Sequence, residues 1–370
     1  MIKDNRCTLP FTGLHVLNLK NHTFAACCRT QHDSIDKSTG LLTTSLIELR
    51  KSVINNERNP QCALCWERDD KTSMSWRRLQ SQHFVNPAYW VNKWDTLDLY
   101  QPVGKIEIVF SNKCQLMCIY CNPIVSSMWQ DSQNNFSEKF KPYETNLKPA
   151  IDIKDIVDVS KLMGISITGG EPMMESACID FLMELEPDMD RSFTIITNLS
   201  YGDATFNALL DIIERHKRVS IAVSLDAIGE NITRKYLNWD LWKRNFEKLI
   251  NGLNDRRKLY PDIMLIVVIT VTLLNYKNIQ SIIEYIVSFR KQGIEHISFG
   301  INPVADNSLV SLKSGRLDPS FSIQLQQEDA KYLNIREQKQ IIGFNELINN
   351  TILDIDLEKS TQEYLQEYFK

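Results

Sequence analysis

What this 370-residue sequence lacks narrows it first. It has no apolar run able to span a bilayer: the longest, IMLIVVITVTLL at 263–274, is too short and too β-branched. The opening MIKDNRCTLPFTG has no apolar leader core, so a reducing, cytoplasmic location is expected and no membrane partner. A formal net charge of -4 gives no overall pull towards polyanions, so nucleic acid is not expected as a partner. Histidine is scarce, six residues scattered without ligand spacing, and H-E-x-x-H, G-x-S-x-G and G-x-x-x-x-G-K-[ST] are all missing. Zinc protease, serine hydrolase and nucleotide hydrolysis therefore have no support. There is no internal repeat or low-complexity tract.

What is present is cysteine, unevenly spread. Cys7, Cys27, Cys28, Cys62 and Cys65 precede residue 100, Cys114, Cys118 and Cys121 follow in one short loop, and only Cys178 comes later. In a reducing compartment nine cysteines point to metal ligands or core residues before disulfides. With 43% hydrophobic and 24% charged residues, the chain reads as a globular protein of one large domain with an appendage, or of two.

From about residue 104 short β-branched runs alternate with amphipathic helical stretches. The runs are KIEIVF (105–110), GISIT (164–168), SFTIIT (192–197), VSIAVSL (219–225), IMLIVVITVTL (263–273) and HISFGI (296–301). Six strand-helix units predict a parallel sheet with helices outside, as a partial barrel or an open doubly wound sheet. Both place ligands at the carboxyl ends of the strands. The tail from about 311 has helical periodicity and is predicted to pack across one end of the sheet. The aromatic and basic stretch SMSWRRLQSQHFVNPAYWVNKW (73–94) is expected to be a packed linker, with a substrate groove or nucleic-acid contact as the alternative.

The stretch SNKCQLMCIYCNP (111–123) follows the first predicted strand and carries C-x3-C-x2-C. A closed structural zinc site wants four ligands, whereas three thiolates on a four-iron cubane leave one iron open to another ligand. Zinc completed by a distant ligand and purely space-filling cysteines are the alternatives.

CQLMCIYC resembles the signature loop of the radical S-adenosylmethionine (radical SAM) superfamily, with Tyr120 in its aromatic place. ITGGEP (167–172) resembles that family's GGEP motif at the end of the second strand, TNLS (197–200) its T-N segment and VSLDA (223–227) its S-L-D segment. Glycines there let backbone carbonyls approach an ammonium without a Cβ clash. The resemblance implies that Cys114, Cys118 and Cys121 hold a [4Fe-4S] cluster whose open iron binds S-adenosyl-L-methionine (SAM). It implies further that Gly169, Gly170, Glu171 and Pro172 receive the methionine ammonium, that Ser224 and Asp226 reach the ribose, and that Asn198 lies nearby. Arg234, in NITRKYL, is a candidate partner for the SAM carboxylate, because its fork suits a carboxylate.

Cys62 and Cys65 form a C-x2-C pair, and with Cys7 and Cys28 (Cys27 as the alternative) they make four ligands. The order resembles half of the auxiliary modules called SPASM and twitch, although those usually follow the barrel and here the cysteines precede it. A second, auxiliary [4Fe-4S] cluster is expected, with zinc as the alternative. Cys178 is expected to be a buried core thiol.

The expected fold is α/β: a cysteine-rich auxiliary module (1–100), a partial (βα)6 TIM-like barrel (101–305) and a helical C-terminal segment (306–370). The resemblance implies a radical SAM enzyme, oxidoreductase-like, that cleaves SAM reductively to a 5'-deoxyadenosyl radical and takes a hydrogen atom from substrate. Oxidative modification of a peptide or protein side chain is the first expectation, a small molecule (sugar, nucleotide or amino acid) the second. A flavodoxin or ferredoxin is the expected electron donor. A zinc-binding interaction module without catalysis is the distant alternative.

Overall fold

The structure is a computed structural model, and it describes residues 7, 9–27, 30, 33–35, 41–71, 97–132, 135–140, 151–187, 190–229, 232–261, 263–304, 308–318 and 320–369. The stretch 73–94 and Cys28 lie outside the described residues. The strands are β1 (Gly13–Asn18), β2 (Thr23–Ala25), β3 (Asp33–Ser34), β4 (Lys105–Val109), β5 (Met117–Cys118), β6 (Gly164–Thr168), β7 (Ser192–Thr197), β8 (Arg218–Ser224), β9 (Arg234–Lys235), β10 (Met264–Val271) and β11 (Ile297–Pro303). The fold class is α/β: β4, β6, β7, β8, β10 and β11 form a mostly parallel central sheet with helices between successive strands, in the manner of a TIM-like partial barrel. All six expected runs are strands, with ends displaced by at most a few residues. Among the described residues no helix is long and apolar enough to cross a membrane.

The chain divides into two compact units. The first comprises 1–111, 146–168 and 190–192. Its strands run in the order β6-β4-β1-β2-β3, with β4 parallel to both β6 and β1 and the two remaining pairs antiparallel. β1 extends the parallel set, although GLHVLN gave no strand expectation. Helix Thr44–Ile54 follows these strands, its first turn capped by the Thr43 hydroxyl accepting from Leu46 N–H at 3.3 Å. Arg50 on that helix is fully buried, its guanidinium donating to the carbonyls of Pro10 (2.7 Å), Leu99 (2.6 Å) and Gln101 (2.9 Å). A cation so deep persists because carbonyl dipoles replace its water.

The second unit comprises 112–145, 169–189 and 193–370. Its strands run β11-β10-β8-β7, with β10 parallel to both β8 and β11, and a separate antiparallel pair joins β5 to β9. Leu265, Val267, Ile269 and Val271 of β10 are all fully buried, and each such side chain contributes about 1.5–3 kcal/mol. Helix Asp203–Arg215 presents Phe206, Leu209, Ile212 and Ile213 on one buried stripe, the spacing of a 3.6-residue period. The tail is helical as expected. Helix Ile335–Asn350 packs on β11 and is fixed there by Glu337, which takes both Arg290 Nη1 (2.7 Å) and Nη2 (2.6 Å). Helix Ile355–Tyr368 packs its Tyr364 and Tyr368 into an aromatic cluster with Trp129 and Phe136.

Candidate active site

The three loop cysteines, the GGEP residues and the polar groups ending β7 and β8 all fall in the second unit. The loop is held from behind by its own backbone carbonyls. Tyr368 donates to Met117 O, Trp129 Nε1 to Cys118 O at 2.8 Å, and Tyr364 to Ile119 O at 3.2 Å. β5 carries Cys118 opposite Arg234 of β9, and Ile119 N–H donates to Thr233 O at 2.9 Å. Cys118 is therefore buried, while Cys114 and Cys121 are half-buried.

Polar donors reach two of the three sulfurs. Leu116 N–H and Asn198 Nδ2 donate to Cys114 Sγ at 3.4 and 3.7 Å, and Arg234 Nη1 donates to Cys118 Sγ at 3.6 Å. Burial pushes the Cys114 thiol up to about 12. The hydrogen bond from Cys121 and the charge of Arg234 pull Cys118 below the usual thiol range against its desolvation. Cys121, the donor of that bond, is correspondingly raised. Among the described residues no three His, Cys, Asp or Glu side chains gather closely enough for a single metal ion, the loop cysteines included. Three thiols in one loop, two of them met by N–H donors, fit a multi-iron cluster: anionic sulfur accepts such bonds, and a cubane spreads its ligands wider than one ion does.

The GGEP segment abuts the base of this loop. Gly169 has φ 127, a conformation suited to glycine, and a Cβ on Gly170 would stand 2.2 Å from Lys113 O. Glu171 N–H donates to that same carbonyl at 2.7 Å. The Glu171 side chain is buried, accepting from Asn198 N–H (2.7 Å), Thr197 Oγ1 (2.8 Å) and Met173 N–H (3.2 Å). Burial pushes its carboxyl up to about 7 although those donors oppose the shift. Pro172 follows, buried, at the start of the short helix Pro172–Met174.

Asn198 bridges this segment to the loop. Its Oδ1 accepts from Gln115 Nε2 at 3.0 Å and Ser200 N–H at 2.9 Å, and its Nδ2 also donates to Gln115 Oε1 at 3.2 Å. Leu199, next in sequence, is held at φ 56. Ser224 is half-buried at the carboxyl end of β8.

Asp226 and Arg234 meet each other beneath the loop. Asp226 is fully buried, its carboxylate accepting from Tyr120 OH (2.6 Å), Thr233 Oγ1 (3.1 Å), Thr270 N–H (3.0 Å) and Arg234 Nη2 (3.3 Å), with Arg234 Nε 2.8 Å away. Arg234 is buried too, its guanidinium lying 5.6 Å from the centroid of the Tyr120 ring. Both charged groups thus face each other and the loop. Gln115, Trp129, Thr233, Tyr364 and Tyr368 gave no sequence signal for the loop. Gln115 alone could have been flagged, as a polar side chain inside the C-x3-C spacing.

A pocket of 160 Å³ opens beside the loop, lined by Tyr120, Cys121, Trp129, Phe140, Leu309 and Tyr364 among others. Cys178 is a fully buried core residue with its thiol raised by desolvation. In the first unit, Cys7 and Cys27 share a small buried cluster with Leu9. Cys62 ends the short helix Pro60–Cys62, and Cys65 lies on the following helix, Ala63–Lys71.

Residues 108–289 match the radical SAM superfamily: the chain carries a radical SAM domain, which supports an enzyme of that class. It is similar to proteins described as GTP 3',8-cyclase from Campylobacter jejuni subsp. jejuni, serotypes O:6 and O:2. Each is 26% identical over 238 residues, covering 62% of this chain and 67% of the relative.

Proposed function

We propose that this chain cleaves SAM reductively at the cysteine loop and takes a hydrogen atom from a small-molecule substrate. The observation that carries the reading is a single loop holding three cysteines, with N–H donors on the sulfurs of Cys114 and Cys118. When bound, the cluster and SAM would supply a 5'-deoxyadenosyl radical by one-electron reduction with release of methionine. In this reading Cys114, Cys118 and Cys121 hold the cluster. Gly169, Gly170, Glu171 and Pro172 frame the methionine end of SAM, Ser224 serves the ribose, and Tyr120 and Asn198 form nearby walls. The pocket beside Cys121 suits one flat ring, the adenine. The chain's own work is to fix these groups and keep water from the reacting carbon.

A small molecule is preferred because the relatives are described as GTP 3',8-cyclases, so nucleotides are the first class to test. A peptide or protein side chain is the second reading, favoured by Cys7, Cys27, Cys62 and Cys65 upstream of the domain. There we propose an auxiliary [4Fe-4S] cluster on Cys7, Cys28 or Cys27, Cys62 and Cys65, zinc being the alternative. The proposed organisation is an auxiliary module (1–100), the barrel (101–305) and a helical segment (306–370), in a cytoplasmic setting where a flavodoxin or ferredoxin gives the electron.

The test is anaerobic reconstitution with iron and sulfide, followed by SAM and reductant. Release of 5'-deoxyadenosine by the wild type, and its loss in the Cys114→Ala, Cys118→Ala, Cys121→Ala triple variant, is expected. No release under several reductants would sink the reading. Iron and zinc quantitation in Cys62→Ala/Cys65→Ala distinguishes the auxiliary cluster from zinc.

A further inference from the structure

Arg234 occupies an unusual place for a residue that could have met a ligand. It is almost wholly buried, and its three nitrogens are already directed: Nε and Nη2 towards Asp226, Nη1 towards Cys118 Sγ at 3.6 Å. The direction is imposed from several sides. The β5–β9 register sets Cys118 across from Arg234. Tyr120 OH, Thr233 Oγ1 and Thr270 N–H hold the Asp226 carboxylate, and Asn275 Nδ2 fixes the Asp226 backbone carbonyl at 3.0 Å. The ring of Tyr120, between two of the cysteines in sequence, lies against the guanidinium. Nη1 and Nη2 therefore each give one hydrogen bond, to sulfur and to carboxylate respectively.

We propose that Arg234, oriented by Asp226 and Tyr120, is a positioning residue that raises the reduction potential of the cluster held by the loop. The inference rests on the radical SAM reading of that loop. Reduction adds negative charge to cluster and thiolates, and a buried cation donating N–H to a ligand sulfur favours the more negative state. Removing the donor makes the electron harder to add. Asp226 keeps the cation in place without touching sulfur, and its own charge opposes that of Arg234 at Cys118, so the donated N–H is what the double variant removes.

The experiment compares wild type, Arg234→Lys and the double variant Arg234→Met/Asp226→Asn, which removes both buried charges together. Each is reconstituted anaerobically without SAM, assayed for iron and titrated potentiometrically with the reduced cluster read by electron paramagnetic resonance. The signal absent from the Cys114→Ala, Cys118→Ala, Cys121→Ala variant identifies the loop's cluster. At the wild-type midpoint the double variant is expected to show a reduced-to-oxidised ratio about tenfold lower, the scale of one charge-assisted hydrogen bond. Arg234→Lys, which keeps charge but loses the fork, should fall between. An unchanged midpoint would overturn the proposal, and weaker SAM binding in a separate equilibrium measurement on the same variants would then make Arg234 a SAM contact. Failure of both variants to load loop iron would overturn it in favour of a role in assembly. A wild type with no loop-dependent iron would instead remove the radical SAM reading itself.

Discussion

Gly170→Ala tests how tightly the GGEP segment must sit against the cysteine loop. The added Cβ would lie 2.2 Å from Lys113 O, 2.6 Å from Asn112 C and 2.7 Å from Asn112 O, where ordinary contact begins at 3.4 Å. About 1 Å of new separation is therefore needed, and every obstacle is backbone, which no rotamer change can clear. The two segments are also tied by Glu171 N–H donating to Lys113 O at 2.7 Å, so they cannot part without stretching that bond. Overpacking of about 1–3 kcal/mol and a lost hydrogen bond of about 1 kcal/mol give a destabilisation of about 2–4 kcal/mol. A shift of about 1 Å at the reacting groups should lower SAM cleavage about 100-fold. Denaturant unfolding of the metal-free protein reads the first quantity, and 5'-deoxyadenosine release by the reconstituted protein the second. Gly343→Ala is the control: nothing lies within 4 Å of its would-be Cβ on helix Ile335–Asn350, so it should stabilise by about 1 kcal/mol. The reasoning is refuted if Gly170→Ala unfolds within about 0.5 kcal/mol of wild type, the range of an uninvolved surface change.

Two other perturbations have signs fixed by the structure. Burial raises the Glu171 carboxyl from 4.5 to about 7. Its contribution is therefore complete below pH 4.5 and is lost as pH rises through 7, a fall of about 3 kcal/mol at 1.36 kcal/mol per unit. Glu171→Gln should flatten that part of the stability profile of the metal-free, SAM-free protein; parallel profiles for the two proteins would contradict the burial argument. Glu337 takes Arg290 in a buried pair and also accepts from Phe299 N–H (3.2 Å) and Asn334 N–H (3.1 Å). Glu337→Ala should cost about 3–5 kcal/mol by stranding Arg290, whereas Arg290→Met/Glu337→Leu should recover most of it. Equal losses for the single and double variants in denaturant melts would show that the stranded charge is not the cause.

The strands were legible because each of the six is a compact β-branched run bounded by polar or helical sequence. GISIT and SFTIIT coincide with β6 and β7 to the residue. β1 was not legible: GLHVLN stands apart from those runs and draws its definition from parallel pairing with β4, a partner 92 positions away at Gly13–Lys105. The loop could be read from cysteine spacing alone, since local geometry sets which three thiols share it. The partners of the charged motif residues could not. That Asp226 would take Tyr120 OH, 106 positions away, and that Tyr364 would reach Ile119 O, 245 positions away, depends on how the helices pack.

Three of the positive-φ residues of the second unit flank residues of the site. Gly169 (φ 127) lies two residues before Glu171, Leu199 (φ 56) directly follows Asn198, and Tyr236 (φ 75) lies two residues after Arg234. A bulky residue with positive φ costs on the order of 1–3 kcal/mol and persists only when its surroundings over-determine it. Leu199 is so determined: its N–H donates to Thr197 Oγ1 at 3.0 Å, its carbonyl accepts from Asn245 Nδ2 at 3.0 Å, and its side chain is fully buried. The turn it makes allows Asn198 to give its backbone N–H to Glu171 while its Nδ2 meets Cys114. Strain at Leu199 therefore serves direction: it bends the chain where Asn198 points at the loop, and a relaxed backbone there would aim that donor elsewhere.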